Sequence, residues 1–270
     1  MREAGGTLLL AVADGVGGGP GGEIAADAAV NELAKRFFAA PSAQPISERL
    51  GDAIREANTA VLRAAEAEAK PSMASTLVVA AVRGDEAVIG NLGDSRAYVV
   101  RDGQSRQLTV DHSGAQAHGI TRFVGDPRGV QADVFVERLA IGDRLVLCSD
   151  GLTRHVDPTE IAGALALRGT SLDQAAEQLV ALANARGGED NVTVVLYAAG
   201  GGRPGQRALA LGLFVAVIVL VVAGTLAVLA SVAPSAPAPT EVPTASQIAS
   251  PTAGVSPTPP ATASPSPTPP

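Results

Sequence analysis

Four aspartates stand where apolar, strand-like runs give way to small residues. Asp14 closes LLLAVAD before Gly15, and Asp94 closes AVIGNLGD before Ser95. Asp150 closes RLVLCSD before Gly151, and Asp190, in GGEDN, comes just before NVTVVLYA. Any single one of these reads as an ordinary turn residue. Taken together, four such sites on strands that share a sheet core would place four carboxylates at one rim. Converging carboxylates repel unless a cation neutralises them, and a donor set made only of oxygens favours Mg²⁺ or Mn²⁺ over zinc. The sequence has no His/Cys cluster to point elsewhere. Two such ions can hold a bridging water, lower its pKa and aim it at phosphorus. The chemistry these residues suggest is hydrolysis of a phosphate ester.

Carboxylates at strand ends need a frame to bring them together. Residues 6–13 (GTLLLAVA) read as a strand buried on both faces, because the apolar residues do not alternate with polar ones. Residues 23–39 and 46–69 read as helices. In the second, Ile46, Leu50, Ile54, Ala57, Val61 and Ala65 recur at helical spacing, and Pro71 closes the run. STLVVAAVRG, EAVIGNLG and RAYVVRDG then follow one another with Gly-Asp and Asp-Gly turns, the signature of a meander, and DVFVERL and RLVLCS add two more strands. Asp157-Pro158-Thr159-Glu160 is a capping box with proline at the first helical position. Residues 171–186 predict a further helix and residues 191–198 a closing strand. This order is not the strict alternation of a doubly wound parallel sheet. It predicts an α+β domain with a mainly antiparallel sheet core and helices outside.

Composition divides the 270 residues sharply. We read residues 1–199 as the globular domain, 200–207 as a linker, 208–233 as a transmembrane helix and 234–270 as a disordered Pro/Ser/Thr-rich tail. The run Ala208–Ala233 carries no charge and, at 1.5 Å per residue, would reach roughly 39 Å, enough to cross a bilayer with tilt. Arg203 and Arg207 precede it and no Lys or Arg follows. The positive-inside rule then places residues 1–207 in the cytoplasm of a single-pass protein of the inner or plasma membrane, with the tail outside. The tail holds twelve prolines and a single charge, Glu241, and cannot bury a core. The globular part carries 26 of the 27 acidic and 18 of the 20 basic residues. Such an acidic domain argues against nucleic acid as a partner. Cys148 is the sole cysteine, so an intrachain disulfide is excluded, and its place within RLVLCSD reads as a buried, inert thiol.

The segment VADGVGGGPGGE also contains Gly17, Gly19 and Gly22 at G-x-G-x-x-G spacing. A dinucleotide site would need a parallel βαβ unit and an acidic residue about 20 positions on. Here two helical segments follow instead, and the region near position 42 is Pro-Ser-Ala-Gln-Pro. No Gly-Lys-Ser/Thr is present for a P-loop. Asp14, ahead of the glycines, is the residue expected to carry chemistry.

VADGVGG, STLVVAAV, GNLGDSRAYVVRDG, LTVDHS, RLVLCSDGL and GGEDNVTVVL occur in the order and spacing of the metal-dependent protein phosphatases of type 2C, and the chain resembles that family over about residues 7–198. The resemblance implies an antiparallel β-sandwich flanked by helix pairs. It also implies hydrolysis of phosphoserine or phosphothreonine in proteins by water activated by two Mn²⁺ or Mg²⁺ ions. By motif, Asp14 corresponds to the carboxylate bridging both metals and Gly15 to a residue contributing a carbonyl contact. Asp150 and Asp190 correspond to ligands of the first metal, and Asp94, sharing Asp150, to a ligand of a third, weaker site. Asn191 beside Asp190 and Arg96 beside Asp94 are expected to hold those carboxylates in place, with a plain structural salt bridge as the other reading for Arg96. His112, in DHS, reads as structural rather than catalytic. Bacterial members often oppose membrane Ser/Thr kinases, which fits an anchored cytoplasmic domain acting on phosphorylated proteins.

The chain also departs from the pattern. The family's R-x-x-N-E/Q-D strand, which supplies a phosphate-binding arginine and ligands of the second metal, has no counterpart here. Arg2 and Glu3 do not fit it, and no phosphate-binding residue is identified. Val16 stands where many members carry histidine, and the stretch from Asp111 to Arg122, which holds the flap in relatives, is short. A coding frame that begins upstream of Met1 is one expectation, and weak or no turnover by the chain as written is another. The alternative function is a membrane-anchored pseudophosphatase that binds a phosphoprotein or kinase.

Overall fold

The chain begins with a hairpin. Strands β1 (Arg2–Ala4) and β2 (Thr7–Val12) pair antiparallel around Gly5 and Gly6, both at positive φ (58° and 72°) as a two-residue hairpin turn requires. The computed structural model describes residues 1–16, 20–114, 119–167, 170–188 and 190–200. Helices α1 (Pro20–Ala39) and α2 (Ile46–Ala67) follow, then strands β3 (Leu77–Arg83), β4 (Glu86–Leu92), β5 (Arg96–Arg101), β6 (Gln104–Gln107), β7 (Asp133–Arg138) and β8 (Arg144–Cys148). The one-turn helix α3 (Asp150–Thr153), helices α4 (Pro158–Ala166) and α5 (Leu172–Ala185) and strand β9 (Val194–Ala198) complete the order.

All pairings are antiparallel. They build one sheet in the order β1-β2-β3-β4-β7 and a second in the order β6-β5-β8-β9. Strand β3 shows why its sequence is apolar at nearly every position. Alternate residues Leu77, Val79 and Ala81 face α1 and α2, while Val78, Ala80 and Val82 face the second sheet. Between the sheets, Leu10, Val12 and Ile89 meet Val99, Leu145, Leu147 and Tyr197. On the outer side of the second sheet, Tyr98, Val146 and Cys148 pack under Leu152, Ile161 and Leu179 of α3, α4 and α5. The result is a helix–sheet–sheet–helix sandwich, the α+β arrangement expected from the sequence.

Helix α2 lays Ile46, Leu50, Ile54, Ala57, Val61 and Ala65 on the first sheet. It comes so close that a Cβ on Gly90 would lie 2.7 Å from Ile54 Cδ1. The capping box at Asp157 is formed, with its carboxylate accepting from Thr159 and Glu160 N–H, and a second one forms at Ser171. Cys148 is fully buried and its thiol is pushed up to about 12 by burial, which keeps it protonated and unreactive at neutral pH. Among the described residues no helix is long and apolar enough to cross a membrane. The expected span Ala208–Ala233 and the tail lie outside the described residues.

Candidate metal centre at the strand ends

Asp14 lies two residues beyond β2, and Asp94 lies beyond β4 after Gly93. Asp150 opens α3 directly after β8, and Asp190 precedes β9. Two of these strands belong to each sheet, so the rim is where both sheets end on the same side. The four carboxylates are within electrostatic reach of one another. Burial and then the charges of Asp150 and Asp190, a hydrogen bond with Asp150 and the charge of Asp94 push the Asp14 carboxyl up to about 7. Asp94 is also raised, first by burial and then by Asp150.

The backbone of Asp14 is clamped by the segment ahead of β3. Its N–H donates to Thr76 Oγ1 (3.1 Å), while its carbonyl accepts from Thr76 N–H (2.8 Å) and from Ser75 Oγ (3.0 Å). Thr76 Oγ1 also meets Ser95 Oγ at 2.7 Å, in a buried hydroxyl pair that links the Asp14 and Asp94 loops. Gly15 and Gly22 pack backbone against backbone where α1 begins, and a Cβ on Gly15 would collide with Gly22. The glycine at this position therefore makes room for α1 as well as for any ligand. Gly17 to Gly19 lie outside the described residues.

Asp190 is held by its neighbour, through the backbone. Asn191 N–H donates to Asp190 Oδ1 (2.8 Å), and Ser149 Oγ donates to Asn191 carbonyl (3.1 Å), tying this loop to the residue before Asp150. Gly151 allows the approach, since a Cβ there would run into the Asn191 carbonyl. Arg96 is placed differently from the expectation that it orients Asp94. Its guanidinium closes on Asp111 in a bidentate pair (Nε–Oδ1 3.0 Å, Nη2–Oδ2 2.7 Å) and donates to Tyr98 hydroxyl (3.1 Å). A planar fork prefers a carboxylate that it can face with two N–H groups, and Asp111 offers that geometry. Arg96 is thus the structural pair of the alternative reading.

His112 is buried beneath the Asp94 loop. Its Nδ1 accepts from Gly93 N–H (3.1 Å), and its Nε2 lies 3.0 Å from Asp133 Oδ2 and 2.9 Å from Arg122 Nη1. Arg122 Nη1 completes the cluster by donating to Asp133 Oδ1 (2.8 Å). His112 therefore anchors the glycine next to Asp94 and does not face the rim. Thr76, Ser75 and His112 carry no catalytic signature in sequence, and their roles emerge only from strand register. A cavity of about 420 Å³ is lined by Arg122, Asp126 and Asp133 among others, with none of the four aspartates in its wall. The rim is only partly exposed, with the Asp150 side chain 16% and the Asp190 side chain 37% accessible.

Among the described residues, one cation sits in the rim. Arg154, one turn after Asp150, closes on the Asp150 carboxylate and reaches Asp190 at 3.4 Å. Among the described residues, no group of three or more His, Cys, Asp or Glu side chains stands ready to hold a metal ion. The chemistry of the donors nonetheless fits a hard divalent cation. The donors are carboxylate oxygens, and Asp14 is raised first by burial and then by the like charges of Asp150, Asp190 and Asp94, which a cation would relieve.

Comparison with known proteins bears on the family and the fold. The family model for protein phosphatase 2C matches residues 1–190. The serine/threonine phosphatase stp of Listeria welshimeri is 36% identical over 210 residues, covering 70% of this chain and 83% of that protein. Among solved structures, the S. agalactiae serine/threonine phosphatase superposes with a TM-score of 0.65 at 31% identity, covering 71% of this chain and 88% of that one. The catalytic domain of the serine/threonine protein phosphatase PstP, solved in complex with two manganese ions, superposes with a TM-score of 0.63 at 32% identity, covering 73% and 92%.

Proposed function

The chain belongs to the protein phosphatase 2C family, and from that premise we propose that it hydrolyses phosphoserine and phosphothreonine in proteins at the rim formed by Asp14, Asp94, Asp150 and Asp190. The observation that carries this reading is that Asp14, at the end of a strand of one sheet, feels the charges of Asp150, Asp190 and Asp94 at the ends of strands from both sheets. Asp14, the Gly15 carbonyl, Asp150 and Asp190 would hold two Mn²⁺ or Mg²⁺ ions, with Asp94 and Asp150 available to a third. Bound there, the ions supply an activated water and charge neutralisation at phosphorus. The chain's own part is positional. Ser75 and Thr76 fix Asp14, His112 fixes the turn before Asp94, and the Asn191 N–H fixes Asp190.

The uncharged run Ala208–Ala233, with arginines on one flank only, supports tethering of this domain to the cytoplasmic face of the membrane. There it would oppose a membrane Ser/Thr kinase. The rival reading is a tethered module that binds phosphoproteins or a kinase without turnover, and it draws on the closure of Arg154 over two of the four carboxylates. Phosphopeptide hydrolysis by the purified chain in Mn²⁺ decides between them. Phosphate release lost in Asp150→Asn supports the enzyme, and release indistinguishable from a chelated blank supports the binding module.

A further inference from the structure

We propose that Arg154 is the resident counter-ion of the acidic rim, holding Asp150 and Asp190 when no metal is bound and setting how tightly the rim takes divalent ions. This inference rests on the metal-centre reading above and adds a residue outside the sequence motifs quoted above. Three observations carry it.

The first is placement. Asp150 opens the single turn of α3 and Arg154, four residues on, caps its C-terminus, where its N–H donates to the Asp150 carbonyl at 2.9 Å. The guanidinium is thereby kept beside the Asp150 carboxylate by its own backbone. The second is reach. The same side chain spans to Asp190, at 3.4 Å, and lies within range of Asp94, so three of the four rim carboxylates share one cation. The third is freedom to leave. The Arg154 side chain is 52% exposed, whereas Asp150 is 16% exposed. The arginine can swing into water without vacating a core position, while the carboxylate cannot follow it.

A divalent ion arriving at Asp150 and Asp190 must displace this guanidinium. The arginine therefore lowers apparent metal affinity and, in return, spares the metal-free protein a share of the carboxylate repulsion. Loss of a merely structural residue would weaken metal binding. Loss of a competing cation strengthens it, so the sign of the effect separates the two roles.

The test is calorimetric titration of the purified full chain with MnCl₂ at low ionic strength, comparing wild type with Arg154→Gln, Arg154→Ala and Arg154→Lys. The expected result is Mn²⁺ binding about five- to tenfold tighter in the Gln and Ala variants, the size of two ion pairs at a wet surface. Arg154→Lys should fall between wild type and Arg154→Gln, because it keeps the charge but loses the fork that reaches both carboxylates. The gap should shrink as KCl is raised, since exposed charges are screened. Arg138→Ala serves as the control. It removes a cation from the Asp85 and Glu86 hairpin, at the opposite end of β4 from Asp94, and should leave affinity unchanged. Equal or weaker Mn²⁺ binding in Arg154→Gln and Arg154→Ala overturns the inference while leaving the metal centre standing. Absence of Mn²⁺ binding in wild type and all variants removes the metal centre itself, and this inference with it.

Discussion

Replacing Asp14 by asparagine should make the metal-free protein more stable while disabling its site. Asp14 is pushed from 3.8 to about 7 by burial and by the neighbouring aspartates. Its folded-state pKa lies above its unfolded value, so the native state binds the extra proton between about pH 4 and 7 and loses stability as pH rises through that window. A shift of about three units corresponds to on the order of 4 kcal/mol at 1.36 kcal/mol per unit. Arg154 already compensates Asp150 and Asp190 in part, and the Asp190 side chain is 37% exposed. About half of that figure, roughly 2 kcal/mol, is what the amide should recover at pH 8. For a domain of this size that is about 4–8 °C in Tm. The assay is thermal unfolding followed by far-UV circular dichroism, in chelator, at pH 5 and pH 8. Asp14→Asn should exceed wild type by that margin at pH 8 and by about two-fifths of it at pH 5, where the folded carboxyl is protonated but the unfolded one is already ionised. Adding Mn²⁺ at pH 8 should raise wild type more than the variant. A variant no more stable than wild type at pH 8, or a gap of equal size at both pH values, would refute the reasoning.

Other perturbations probe the frame. Thr76→Val removes the acceptor for Asp14 N–H and the partner of Ser95. It should cost about 1–2 kcal/mol in urea unfolding and lower Mn²⁺ affinity, because the Asp14 loop loses its clamp. Gly151→Ala places a methyl against the Asn191 carbonyl. The resulting shift of the Asp190 loop should reduce phosphopeptide turnover on the order of 100-fold, the usual penalty for displacing a reacting group by about 1 Å, with near-normal far-UV dichroism. Asp143 behaves oppositely to Asp14. Hydrogen bonds from Arg101, and from Ala140 N–H, hold its carboxyl below the ordinary value. Its stabilising contribution is present at neutral pH and is lost as pH falls below about 4. Asp143→Asn should therefore destabilise at pH 7, with a deficit that narrows towards pH 3 in chemical denaturation.

The parts of the fold that are legible in the sequence are those buried on a defined face. LLLAVA and LVVAAV are apolar throughout because each is sandwiched between a sheet and a helical layer. The apolar stripe of α2 follows from its one buried side. Strands β1 (REA) and β6 (QSRQ) are not legible. Both are edge strands with mostly exposed residues, and nothing in their patterning marks a buried face. At the site, the four aspartates stand out because each borders a strand. Arg96 does not orient Asp94, and sequence could not show this, because its partner Asp111 lies fifteen residues on and a sequence offers no register between a strand and a later loop. Arg154 shows the opposite case. Its i+4 relation to Asp150 is visible in SDGLTR, but only the one-turn helix α3 turns that spacing into an ion pair.

The most direct test of a metal-dependent phosphatase at this rim is phosphate release from a phosphothreonine peptide by the purified chain, with Mn²⁺ or with chelator, for wild type and Asp150→Asn. The expected result is Mn²⁺-dependent release above the chelated blank in wild type, at whatever rate, and its loss in Asp150→Asn. Release that persists in Asp150→Asn, or in chelator, would contradict a metal-dependent site at the four strand-end aspartates.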